Sequence, residues 1–124
     1  VVTTHEPTAL ADAYSLIKVV RHRAPSVRLE LCVNMARTFI QGRETHQRLT
    51  RLTERFLAYP VPLAAVIPWD DCVGKAVVRQ EPLTEIFPYS PATQAVVALT
   101  KALDVNAEES NGKASTHPLA VPVP

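Results

Sequence analysis

A chain of 124 residues, 47% hydrophobic and 20% charged, is the size of one globular domain and long enough to bury a core. A formal net charge of +1 sets up no global field toward nucleic acid or an acidic membrane. Cys32 and Cys72 are isolated thiols that fit a reducing compartment rather than a disulfide framework, and no apolar run reaches the ~18 residues of a membrane span.

Val1 to Thr4 is a short β-branched run that suits the end of a strand. Glu6-Pro7-Thr8 then opens a helix, with the proline at a position where its missing N–H costs nothing. Leu10, Ala13, Tyr14, Ile17 and Val20 recur at three and four and give that helix one apolar face. Arg21, His22 and Arg23 suit the negative end of its dipole, and Pro25 marks its stop. Val27 to Val33 alternates and reads as a strand, solvated at its entrance and buried at its exit. A second helix is expected from about Glu44 to Leu57, with Leu49, Leu52 and Phe56 as its stripe. Arg43, Arg48, Arg51 and Arg55 lie mostly away from that stripe and read as a solvated face rather than an anion site.

Leu63 to Ile67, bounded by prolines, predicts a strand buried on both faces. Asp70 to Arg79 predicts a short helix with Cys72, Val73, Ala76 and Val77 inward. An irregular link follows, and Ser90-Pro91 reads as a cap plus first residue of a last helix with Ala92, Ala95, Val96, Leu99, Ala102 and Leu103 on its apolar face. From Asp104 periodicity is lost, and 104–124 is expected to be a flexible, proline-rich tail beside a folded unit of 1–103. Alternating strands and helices predict an α/β fold with a parallel sheet of three strands. So thin a sheet, with a start that carries no methionine, suggests the C-terminal part of a larger α/β domain.

In open sheets of this kind ligands sit beyond the carboxyl ends of the strands. The exits here are Thr3-Thr4-His5-Glu6, Asn34-Met35 and Pro68-Trp69-Asp70. The amide of Asn34 carries a donor pair and an acceptor on one small plane, which is what reading an adenine edge requires; a turn-forming role is the plain alternative. Other chemistry is poorly supported. The Gly-Lys pair Gly74-Lys75 has Trp69 five residues before its glycine and Ala76 after its lysine, where a phosphate loop needs Gly and Ser or Thr, and Gly112-Lys113 has Ala107 and Ala114 there. The four histidines and two cysteines show no metal-ligand spacing. Both thiols read as packed small hydrophobes, and His5-Glu6 as a solvated loop pair rather than a proton relay.

Four runs carry a family likeness: "VVTTHEPTALADAYSLIKVV", "LCVNMARTFIQGRE", "IPWDDCVGKAVVRQEPL" and "FPYSPATQAVVALTKAL". Together they resemble the C-terminal half of MinD/ParA-type P-loop ATPases, which are Rossmann-like NTPases of the SIMIBI class, and within that family the FlhG flagellar-number regulators. The resemblance covers Val1 to Leu103. It implies an ATP-dependent dimerisation switch regulating flagellar number or placement, with the phosphate loop and Mg²⁺ contacts in segments upstream of Val1. This chain alone is then not expected to hydrolyse ATP or to bind it tightly.

The same resemblance assigns Asn34 to the adenine edge and places Pro68, Trp69 and Asp70 on the other side of the base. It puts Glu6 and Pro7 near the nucleotide-dependent dimer interface. Partners implied are a second copy and a flagellar regulatory protein, in the cytoplasm and without direct nucleic-acid contact. Met35 departs from the family, where Arg often follows the base-reading Asn, so stacking there would be apolar. The C-terminal run has one Lys, three acids and three prolines from Asp104 on, unlike the basic amphipathic helix with which such proteins often reach a membrane. Two rival readings are another ParA/MinD member, serving partition or cellulose export, and a stand-alone interaction module without nucleotide.

Overall fold

The computed structural model describes residues 1–114. Their order is β1 (Val2–Thr3), α1 (Pro7–Arg23), β2 (Leu31–Ala36), α2 (Phe39–Leu57), β3 (Leu63–Pro68), α3 (Asp71–Arg79), α4 (Leu83–Ile86) and α5 (Pro91–Ala114). The strands form one sheet in the order β1-β2-β3, and both pairings are parallel. The expected α/β fold with a three-stranded parallel sheet is therefore what the chain adopts. All three strand exits lie at one edge of it.

The core lies between the sheet and the two crossover helices. Leu10, Ala13 and Ile17 of α1 meet Leu31 and Val33 of β2, Leu49 of α2, and the loop residues Leu29 and Val61. Ile17, Leu31, Val33 and Leu49 are completely inaccessible. Side chains alternate between faces along a strand, so Thr3, paired with Val33, points into this layer, while Val2, paired with Cys32, points to the other. There Val2 remains 67% exposed. α5 packs along β3.

Several boundaries differ from the sequence expectation, each for a local reason. The strand expected over Val27–Val33 begins only at Leu31 and runs on to Ala36. Ahead of Leu31, the Tyr59 hydroxyl takes the place of a neighbouring strand: it accepts from the Leu29 N–H at 3.0 Å and donates to the Leu29 carbonyl at 2.9 Å. Arg28 and Glu30, on the polar side, form an ion pair at 2.7 Å. α2 starts at Phe39 rather than near Glu44, because Thr38 accepts from the Gln41 N–H at 3.0 Å while the Gln41 side chain accepts from the Arg37 N–H at 2.8 Å. This is a variant of the reciprocal capping box.

The inward face of α2 is Gly42, Thr45, Leu49 and Thr53; Leu52 and Phe56, expected inward, are 45% and 61% exposed. Arg43, Arg48, Arg51 and Arg55 are all exposed, as expected of a solvated face. β3 is half-buried along its whole length instead of buried on both faces, since as an edge strand it lacks one neighbour. In α3 only Ala76 is buried, whereas Val73 and Val77 are exposed. α5 begins as expected, with Ser90 capping the Thr93 N–H, and Ala92 and Thr93 are buried. Leu103 is exposed, and the helix continues past it to Ala114, so the run 104–114, expected to be an irregular tail, is helical. The rest of that expected tail, 115–124, lies outside the described residues.

Candidate nucleotide-base cleft

β2 and β3 end side by side, and their exits enclose a cleft of about 320 Å³. Asn34, Met35, Pro68, Trp69 and Asp70 line it, with Asp71, Val73 and Gly74 from the first turn of α3. The four residues assigned to the base from the sequence, Asn34, Pro68, Trp69 and Asp70, thus stand around one concavity at the carboxyl edge of a parallel sheet, where such folds place ligands.

The local backbone explains how Asn34 and Met35 reach it. The pairing of β2 with β3 shifts register between Val33 and Ala36, and Met35 adopts a left-handed φ of 57°. This bulge re-aims the two side chains at the end of a buried strand, as bulges near sites commonly do. The turn is tied by the Asn34 Oδ1, which accepts from the Met35 N–H at 2.9 Å. One lone pair of Oδ1 and both Nδ2 hydrogens remain for a ligand edge. Met35, 43% exposed, and Trp69, 59% exposed, give the cleft large apolar walls.

Across the cleft, the Trp69 N–H donates to the Ala36 carbonyl at 2.8 Å and continues the ladder one step beyond β3. The indole Nε1 donates to Asp71 Oδ1 at 3.3 Å. Asp70 caps α3: its Oδ1 accepts from the Cys72 N–H at 2.9 Å, and its Oδ2 accepts from the Ala92 N–H at 3.0 Å. These backbone N–H groups, Ala92 first, hold its carboxyl below the usual range, at about 2. The donor set suits a base with a mixed donor–acceptor edge, because one amide converges with apolar walls and the neighbouring carboxylate is already engaged.

Glu6 and Pro7 stand apart from this cleft. Glu6 precedes α1 and makes no side-chain cap bond, and Pro7 lines a second groove of about 370 Å³ between α1 and α2, with Tyr14, Arg48 and Leu52 on its walls. His5 and Glu6 form no ion pair among the described residues, and the Nδ1 of His5 is buried without a hydrogen-bond partner. Burial raises the pKa of both thiols, and at Cys72 the nearby Asp70 adds to it, so each stays a neutral packed group.

Sequence reasoning missed Asp71, Val73 and Gly74 as lining residues. Their signal was their position in the turn after Asp70. It also missed the second partner of Asp70, since nothing in the spacing links residue 70 to residue 92.

No protein-family model matches the chain. Among curated proteins it is 38% identical over 103 residues to the antiactivator FleN of Pseudomonas aeruginosa strain PAO1, a match covering 83% of this chain and 37% of FleN. The chain therefore spans well under half the length of that relative. Parallel α/β topology and this identity together make the chain a member of the MinD/ParA-type family to which FleN belongs.

Proposed function

We propose that this chain is the base-binding part of an ATP-dependent switch of MinD type that regulates flagellar number or placement. Its similarity to an antiactivator supports the regulatory half of the reading. The observation that carries the nucleotide half is the convergence of Asn34, Met35, Pro68 and Trp69 on one cleft at the ends of β2 and β3. Adenine would lie between the apolar faces of Trp69 and Met35. Asn34 Nδ2 would donate to N7, and Oδ1, already taking the Met35 N–H, would accept from the exocyclic amine.

The chain's share of the cofactor is the base. Its sequence has no G-x-x-x-x-G-K-[ST] run for the phosphates, so Mg²⁺ and hydrolysis belong to a longer protein. Self-association is proposed near Glu6 and Pro7 at the start of α1, and a flagellar regulatory protein is proposed as the further partner, in the cytoplasm. No described helix is long and apolar enough to cross a membrane.

Asn34→Ala tests the base reading. Losing a bidentate base contact costs about 1–3 kcal/mol of discrimination, roughly 5- to 150-fold in the ATP/GTP preference, by analogy with base readout in nucleic acids. Calorimetry with ATP and GTP on a protein that includes the phosphate loop measures it. An ATP/GTP ratio unchanged by the substitution removes Asn34 from the site.

A further inference from the structure

Asp70 faces the cleft, yet its carboxylate is turned toward the backbone. One oxygen takes the Cys72 N–H in the first turn of α3, and the other takes the Ala92 N–H in the first turn of α5. A single side chain thus caps two helices that start 20 residues apart in the chain, at Asp71 and Pro91. The α5 end of this tie is itself braced. Ser90 Oγ accepts from the Thr93 N–H at 3.3 Å, and Thr93 Oγ1 donates to the Phe87 carbonyl at 2.8 Å. Ser90 and Thr93 are both buried.

The two residues flanking Asp70 are joined as well, through the indole of Trp69 and Asp71. The outer wall of the cleft, which is Trp69 and the first turn of α3, therefore hangs on a carboxylate anchored to α5. α5 in turn packs along β3. Helix N-termini favour such an anionic cap, and both oxygens already have charge-assisted partners.

Building on the base-cleft reading above, we propose that Asp70 is a positioning residue that sets the spacing between Trp69 and Asn34 before a base arrives, and that it does not itself contact the base. The reading separates two adjacent lining residues by role: Asn34 discriminates, and Asp70 shapes.

Trp69 is the chain's one tryptophan, so its fluorescence reports the wall directly. The experiment compares wild type with Asp70→Ala, Asp70→Asn and Asn34→Ala: ligand-free Trp69 emission is read on this chain, and ATP and GTP are titrated by calorimetry into a protein that includes the phosphate loop. Asp70→Ala is expected to shift Trp69 emission in the absence of nucleotide and to weaken ATP and GTP by the same factor. Asp70→Asn, which keeps one acceptor oxygen, should fall between it and wild type, and remains informative if the alanine variant does not fold. Asn34→Ala should leave the ligand-free emission in place and change the ATP/GTP ratio.

An ATP/GTP ratio altered in the Asp70 variants would make Asp70 a direct reader and overturn the proposal. Ligand-free emission that is unmoved in both Asp70 variants overturns it too. If that longer protein shows an ATP/GTP ratio that Asn34→Ala leaves unchanged, the base-cleft reading fails, and the ligand-free spectra still decide whether Asp70 sets the wall.

Discussion

Met35 holds a left-handed backbone conformation that a side chain with a Cβ adopts at a cost of about 1–2 kcal/mol. Glycine would relax that cost while losing chain entropy of about 0.5–1 kcal/mol in the unfolded state. Met35→Gly is accordingly expected to raise the unfolding free energy by up to about 1 kcal/mol in a urea melt, while removing an apolar wall and weakening ATP. A variant that is less stable than wild type would show that the Met35 side chain contributes more packing than its exposure suggests. Asp70 carries the pH dependence at this scale. Its pKa drops from 3.8 unfolded to about 2 folded, so its stabilising effect is complete above about pH 4. That contribution fades as pH falls toward 2. Thermal melts of wild type and Asp70→Asn should therefore differ most above pH 4 and converge near pH 2, and a constant gap across that window would contradict the assignment.

At the scale of elements, the seating of α2 on β3 depends on the absence of a side chain at Gly42. A Cβ there would overlap both methyl groups of Val66. Val66 is β-branched and fixed in a strand, with little freedom to turn away. Gly42→Ala should gain helix propensity but lose more to overpacking, for a net destabilisation of about 1–2 kcal/mol in denaturant titration; a neutral result would mean that α2 can slide. α3 behaves oppositely. Val73, Ala76 and Val77 recur at three and four on one side of it, yet Val77 is 70% exposed, so Val77→Ser should change stability by no more than about 0.5 kcal/mol. A loss above 1 kcal/mol would return Val77 to the core.

For the whole molecule, β1 and β3 are the two edges of the described sheet. β1 also presents Val2 on a face that the α1–α2 layer does not cover. An exposed edge beside apolar surface recruits further strands or surfaces. Sedimentation velocity over a range of concentrations should show this chain self-associating, and Val2→Lys should reduce it. Wild type that stays monomeric at every concentration would argue that the face is tolerated as it stands.

The kind of each element and the order of the elements follow from residue spacing alone. Leu10, Ala13 and Ile17 declared α1 by their spacing, Pro7 and Pro25 marked its bounds, and strand–helix alternation required a parallel sheet because crossover helices join strands running the same way. The residues that meet at the cleft were also legible, since strand exits in such a sheet share an edge. Periodicity, however, records only which side of an element is apolar, and burial needs a neighbour to cover that side. Tertiary structure decided that Leu52, Phe56 and Val77 stay exposed, that a tyrosine hydroxyl replaces a strand partner at Leu29, and that Asp70 spans to Ala92. Each of these rests on atoms far apart in the chain, whose approach is set by how helices seat on the sheet and not by any local pattern.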